Sequence, residues 1–257
     1  MSAPCDLAGR GVLVTRPATQ AEGLSTLIEQ AGGRPVPFPV LEIAPVADPG
    51  PAHDLLAEHW DLMVFISRNA VHQALGLTAG DGSWPGVGLL AAVGQATATA
   101  LAEAGRAPDL VPAERFDSES LLALPGLADM RGRRVLIVRG EGGRALLGEA
   151  LAGRGAAVHY AEVYRRLRPD LDPADLLRRW SGEVHMVTAT SDEVLLNLQL
   201  ILGEPGLALL HDTPLVVISE RGAATARGLG FQRVVAAGRA ADQAIVEALC
   251  ALAQNSL

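Results

Sequence analysis

Short apolar runs rich in β-branched residues recur along the chain, at Gly11 to Thr15, Leu62 to Ile66, Leu89 to Val93, Val135 to Val138, Val184 to Thr188 and Leu215 to Ile218. Their length and composition predict buried strands. Most lead into stretches with apolar positions at helical spacing. Strand followed by helix, repeated in this way, predicts parallel sheets in a doubly wound α/β fold.

The pattern is also duplicated. Val12-Leu13-Val14-Thr15-Arg16-Pro17 returns about 124 residues later as Val135-Leu136-Ile137-Val138-Arg139-Gly140, and each copy runs through a helical pattern to a glycine turn, at Gly32-Gly33 and at Gly155. Phe65-Ile66-Ser67-Arg68-Asn69-Ala70-Val71 is answered by Ala189-Thr190-Ser191-Asp192-Glu193-Val194-Leu195. Val93-Gly94-Gln95-Ala96-Thr97-Ala98 is answered by Ile218-Ser219-Glu220-Arg221-Gly222-Ala223. A solenoid unit spans roughly 20 to 50 residues, so this longer period reads as two related lobes with a cleft between them. Pro35 to Pro39, Pro49 to Pro51 and Arg165 to Pro169 interrupt the alternation. The segment at Pro35 and the one at Arg165 hold the same place in the repeat. Both are expected to be extended crossings between lobes, since proline favours edge and exposed positions.

With hydrophobic residues at 49% and aromatics at 4%, the cores must be built from Ala, Val, Leu and Ile, which suits strands covered on both faces. No uninterrupted apolar segment approaches the roughly 18 residues of a membrane span, and no signal-peptide pattern opens the chain. The expectation is a cytoplasmic protein with no membrane partner. Cys5 and Cys250 stand at opposite ends and no Cys-x-x-Cys spacing occurs, which argues against a disulfide framework or a cysteine zinc site. The six histidines are scattered singly, so no metal site is expected. All 21 basic residues are arginine. Without lysine, Schiff-base catalysis, pyridoxal phosphate chemistry and a Walker A loop are excluded. A formal net charge of −8 argues against nucleic acid as a partner. A small anion is not excluded, because local geometry can override the global field.

Ser67 and Ser191 each follow a predicted strand and open a helix, as does Ser118. Serine there caps the helix. Helix N-termini at the carboxyl ends of parallel strands also present amides and a positive dipole end to anions. Gly94 and the Gly140-Glu141-Gly142-Gly143 turn let backbone approach a ligand closely. Arg16 and Arg139 recur at equivalent strand ends, either as solvated charges or as a carboxylate clamp. Tyr164, in the second crossing segment, either packs its ring or serves as a proton donor in a site without lysine, paired histidines or metal.

In order and spacing, several blocks together resemble the uroporphyrinogen-III synthase family: Val14-Thr15-Arg16-Pro17, Phe65 to Val71, Ala92 to Ala98, Asp117-Ser118-Glu119, Val135 to Arg144, Val163-Tyr164-Arg165-Arg166, Ser191 to Leu198 and Ile218 to Gly230. The resemblance implies two flavodoxin-like doubly wound α/β lobes joined by a two-stranded connector. Residues 1–36 with 168–257 would form one lobe and 44–158 the other, with 37–43 and 159–167 as connector strands. It implies cyclisation of the linear tetrapyrrole hydroxymethylbilane with inversion of its last ring and loss of water. An azafulvene cation and a spiro intermediate lie on that path, and no metal or cofactor is needed. The substrate carries acetate and propionate arms on every ring, so an acidic protein would bind a polyanion through main-chain dipoles.

Carried over by position, the resemblance makes Tyr164 the residue assisting departure of the hydroxyl. Arg16, Ser67, Asn69, Gly94, Thr97, Arg139, Gly140, Thr190, Ser191, Ser219 and Arg221 become substrate-binding positions. Ile66 stands where a threonine is common in the family, and Gly222 where some members carry a hydroxyl, which leaves backbone amides to serve there. A monomer is expected, supplied with substrate by the preceding enzyme. The rival readings are a two-lobed anion-binding or regulatory protein without catalysis, and a glycosyltransferase; the chain shows no nucleotide-binding region for the latter.

Overall fold

The computed structural model describes residues 5–78, 87–113, 117–143 and 145–254. Arg144, at the end of one block of the family resemblance, lies outside them. Among the described residues ten strands occur in chain order: β1 (Gly11–Val14), β2 (Arg34–Pro37), β3 (Glu42–Pro45), β4 (Trp60–Phe65), β5 (Val87–Ala92), β6 (Arg134–Gly140), β7 (Ala157–Leu167), β8 (Met186–Ala189), β9 (Leu215–Val217) and β10 (Val234–Ala236). The helices are α1 (Glu22–Gln30), α2 (Gly50–Ala57), α3 (Arg68–Leu77), α4 (Gln95–Glu103), α5 (Ser118–Leu122), α6 (Leu146–Gly153), α7 (Ala174–Glu183), α8 (Asp192–Asp212), α9 (Glu220–Gly228) and α10 (Asp242–Gln254). All six strands expected from the apolar runs are present. The chain divides into two compact units, residues 1–42 with 167–257, and residues 43–166.

The first unit holds a five-stranded sheet in the order β10-β9-β8-β1-β2, and the second a sheet in the order β3-β7-β6-β4-β5. The pairs β10-β9, β9-β8, β8-β1 and β1-β2 are parallel, as are β7-β6, β6-β4 and β4-β5. Side chains alternate between two apolar clusters on the faces of each sheet. On β4, for example, Met63 and Phe65 enter one cluster and Leu62 and Val64 the other. Both faces are covered, which is why these strands read as unbroken apolar runs.

The sequence repeat maps onto strand positions. β1 and β6 take the same place in their sheets, as do β8 and β4, β9 and β5, and β2 and β7. Backbone hydrogen bonds repeat as well. Leu7 N–H donates to Ala31 O and Gly9 N–H to Gly32 O, while Met130 N–H donates to Arg154 O and Gly132 N–H to Gly155 O. Gly32 and Gly155 close these helices with φ of 72° and 93°, a region that glycine occupies without strain. Each unit therefore combines strands from both copies: β1 and β2 from the first join β8 and β9 from the second, and β4 and β5 join β6 and β7.

The prolines that interrupt the alternation have distinct places. Arg34–Pro37 pairs with β1 as an edge strand, where a missing N–H is tolerated. Pro49 to Pro51 leads into the first turn of α2. The segment at Arg165 ends β7, an eleven-residue strand paired with β6 from Ala157 to Tyr164.

Two expectations need correction. Cys5 and Cys250 form a disulfide with Cα atoms 5.4 Å apart; a separation of 245 residues conceals in the sequence what the packing of α10 brings together. Asp117, not Ser118, caps α5 by accepting the Ser120 N–H at 2.7 Å. Among the described residues α8 alone has the length and composition of a membrane-crossing helix. It is two helices across a break at Gly203 (φ 60°, ψ −175°), and it buries Val194, Leu195, Leu198, Leu202 and Leu210.

Candidate functional site

In a doubly wound sheet, ligands gather at the carboxyl ends of the strands, near the point where strand order reverses. In the second unit that point lies between β4 and β6. Reading across the sheet, the strand ends carry Tyr164 on β7, Arg139 and Gly140 on β6, Ser67 after β4 and Gly94 after β5. Asn69 sits half-buried in the first turn of α3, and Thr97 is buried in the first turn of α4. Seven of the expected site residues thus follow one sheet edge.

Ser67 caps α3: its Oγ accepts the Ala70 N–H at 3.1 Å. Gly94 starts α4 with the same extended backbone and no side-chain cap. Neither helix has an acidic residue in its first turn. The first amides of an α-helix have no acceptor within the helix and carry the positive end of its dipole. Both helix starts are therefore suited to anions.

Tyr164 is 2% exposed and belongs to the core cluster on one face of its sheet. Strict alternation would not place it there, because Ala161 and Val163 already point to that face. The β6–β7 register shifts between Arg139, which pairs with Glu162, and Gly140, which pairs with Tyr164. Val163 is the extra residue, and the bulge turns Tyr164 onto the face of its neighbour. The ring then lies on Gly140, where an added Cβ would come within 2.6 Å of Cε2 and Cζ. Its hydroxyl reaches Ser67 Oγ at 3.2 Å.

In the first unit the corresponding edge carries Arg16 after β1, Thr190 and Ser191 after β8, and Ser219 and Arg221 after β9. Thr190, Ser191, Ser219, Arg221 and Gly222 line one cavity of about 70 Å³. Ser191 Oγ accepts the Val194 N–H and Ser219 Oγ the Gly222 N–H, each at 3.2 Å. The Gly222 amide is thus already used by its cap. Buried Thr15 and Thr188 close the reversal point of this sheet, with Thr15 Oγ1 donating to Thr188 O at 2.6 Å and Thr188 Oγ1 to Leu13 O at 3.0 Å. Asp192 and Glu193 open α8, and Glu220 opens α9. These carboxylates weaken anion binding at the first unit's helix starts.

The two recurrent arginines are engaged within the fold. Arg16 Nη1 lies 2.6 Å from Asp242 Oδ1. Arg139 donates from Nε and Nη2 to Glu162 Oε1 at 3.2 and 2.9 Å and from Nη1 to Gly143 O at 3.1 Å, with its guanidinium 4.1 Å from the centre of the Tyr160 ring. Exposed Arg68 and Arg221, in the first turns of α3 and α9, make no ion pair among the described residues. Arg68 was not singled out from the sequence, although its place directly after a capping serine at a strand end was a readable signal. No group of three or more His, Cys, Asp or Glu side chains among the described residues is arranged for a metal ion.

The family model for uroporphyrinogen-III synthase HemD matches residues 22–247. The chain belongs to the uroporphyrinogen-III synthase family. It is 38% identical over 244 residues to uroporphyrinogen-III synthase of Escherichia coli (strain K12), covering 93% of this chain and 99% of that protein. With the Salmonella typhimurium uroporphyrinogen-III synthase it shares 36% over 245 residues, at the same coverage. A mutant uroporphyrinogen III synthase from the extremely thermophilic bacterium Thermus thermophilus superposes with a TM-score of 0.63 at 23% identity, covering 97% of this chain and all of the other. The Helicobacter pylori 26695 protein superposes at 0.58 with 15% identity, covering 95% and 99%. The two structural likenesses establish a shared fold.

Proposed function

We propose that this protein closes hydroxymethylbilane to uroporphyrinogen III, with the carboxyl edge of the second unit as the main receptor for substrate carboxylates. The observation that carries this reading is the row Tyr164, Gly140, Ser67 and Gly94 along one sheet edge, beside two helix starts without acidic residues. Main-chain amides of α3 and α4 receive carboxylates, and Arg68 adds an exposed positive charge. At the first unit's own carboxyl edge, Arg221, Thr190, Ser191 and Ser219 offer a weaker anion contact, opposed by Asp192, Glu193 and Glu220. Arg16 and Arg139 hold the strand ends in shape through their acidic partners rather than reaching for substrate.

The chemistry asked of the protein is modest. Departure of hydroxide from an electron-rich pyrrole is driven by the substrate, and the Ser67–Tyr164 pair supplies the proton that lets it leave as water. The larger task is to hold the chain so that the last ring attacks through its substituted carbon and recloses inverted. The protein acts in the cytoplasm as a monomer and takes its substrate from the enzyme that makes it. The test is to supply hydroxymethylbilane and resolve the type III and type I isomers. The reading requires type III in excess; type I alone, at the spontaneous rate, contradicts it and favours a binding protein without catalysis.

A further inference from the structure

We infer that Ser67, rather than Tyr164, is the group that touches the departing hydroxyl, and that Tyr164 acts through it from behind. The inference deepens the functional reading above and rests on it.

A serine hydroxyl has one proton and two lone pairs. The Ala70 N–H, at 3.1 Å, takes one lone pair of Ser67 Oγ. The Tyr164 hydroxyl, at 3.2 Å, either donates into the second or accepts the serine proton. In the first arrangement Ser67 is left with a proton directed at whatever acceptor lies beyond it. Tyr164 is 2% exposed with its ring lying on Gly140, so the phenol itself presents almost no surface to a ligand. Ser67 is half-buried at the end of β4 and can be reached. The route from the phenol to a ligand therefore passes through Ser67 Oγ. A substrate oxygen that accepts from Ser67 selects the order Tyr164 to Ser67 to substrate, because hydrogen bonds in a chain polarise one another.

The proton balance closes without any further reactant. The carbon–oxygen bond breaks with its electron pair on oxygen, which takes the Ser67 proton and leaves as water. Ser67 Oγ draws the phenolic proton of Tyr164. The substituted carbon that attacks first carries no proton: its old bond to the neighbouring methylene breaks in the spiro intermediate, the methylene cation so formed is attacked by the unsubstituted α-carbon of the inverted ring, and that carbon loses its proton, which returns through Ser67 to Tyr164. Ser67 is then the catalytic residue and Tyr164 a positioning residue that sets the direction of the hydrogen bond.

The test uses Ser67→Gly, Tyr164→Phe and the double variant. Glycine is chosen because Gly94 starts α4 with the same backbone, so the helix start survives loss of the hydroxyl. General acid catalysis is worth about a hundredfold or more, part of it supplied here by the substrate. Ser67→Gly is expected to lower kcat for type III formation about 30-fold and Tyr164→Phe about 10-fold, with KM within about twofold of wild type. Groups acting in series are not additive, so the double variant should match Ser67→Gly, and Ser67→Thr should recover most of the rate. Full activity in Ser67→Gly overturns the inference. So does an undiminished effect of Tyr164→Phe in the Ser67→Gly background, which would mean that the phenol reaches substrate directly. Absence of type III product from the wild-type protein would sink the functional reading itself, an outcome separate from either.

Discussion

The guanidinium of Arg16 and the carboxylate of Asp242 lie 2.6 Å apart, joining the end of β1 to the first residue of α10 across 226 positions of sequence. The arginine side chain is 12% exposed and the aspartate 32%, so the pair is screened less than a surface contact. Arg16→Ala and Asp242→Ala should each destabilise the protein, with a coupling of about 1 kcal/mol in a double-mutant cycle. Urea unfolding measures it. KM should stay within about twofold of wild type. A raised KM with unchanged stability would instead make Arg16 a substrate clamp.

Arg68 and Arg221 present the opposite case, as exposed cations with no acidic partner among the described residues. Arg68→Gln should raise KM about fivefold at low ionic strength with kcat preserved, and Arg221→Gln less, because Glu220 and Asp192 already oppose anions beside it. The effect of Arg68→Gln should shrink as salt rises, since exposed charges are screened. Steady-state kinetics across a salt series checks both statements; a salt-independent loss of kcat would contradict them.

At the opposite edge of the second sheet, Asp61 accepts the Arg134 N–H at 2.8 Å and Arg133 Nη1 at 3.2 Å. These contacts, the Arg134 amide foremost, hold its carboxyl below the usual aspartate value, against the opposing effect of desolvation. A carboxyl whose folded pKa is depressed adds stability above its unfolded value and loses it as pH falls through the folded one. Asp61→Asn should therefore cost about 1 kcal/mol at pH 7. The gap from wild type should close as pH falls below about 4. Denaturation at pH 7, 5 and 3 tests the sign; a gap no smaller at pH 3 than at pH 7 would contradict it.

Much of this architecture was legible from pattern alone because the strands are buried on both faces. Val12 to Val14 and Val135 to Val138 stay apolar whichever way they point, and the repeat joins them whatever the connectivity between. Ser67 and Ser191 were legible as caps because the hydroxyl three residues before an orphan amide is a local relation, whereas at α5 the neighbouring Asp117 takes the place expected of Ser118. What stayed hidden depends on contacts distant in sequence. The recurrence of Arg16 and Arg139 left solvated charges and a carboxylate clamp equally open, and their acidic neighbours Asp242 and Glu162 could not be read from it. The bulge at Val163 cannot be read from a strand whose residues 161 to 164 keep no strict alternation, so ring packing and proton donation stayed open alternatives for Tyr164. The prolines of β2 obscured a strand that tolerates them only because it lies at a sheet edge.

The proposed receivers of substrate carboxylates are the helix-start amides at the carboxyl edge of the second sheet. Backbone amide shifts in the labelled protein, followed as the polycarboxylate product is added, test this residue by residue. The largest shifts are expected from Ser67 to Ala70 and from Gly94 to Thr97, smaller ones from Thr190 to Val194 and Ser219 to Gly222, and none around Arg10, His185 and Arg233, which line a cavity at the amino ends of the first sheet. Shifts concentrated at Arg10, His185 and Arg233, with the α3 and α4 amides unmoved, would contradict it.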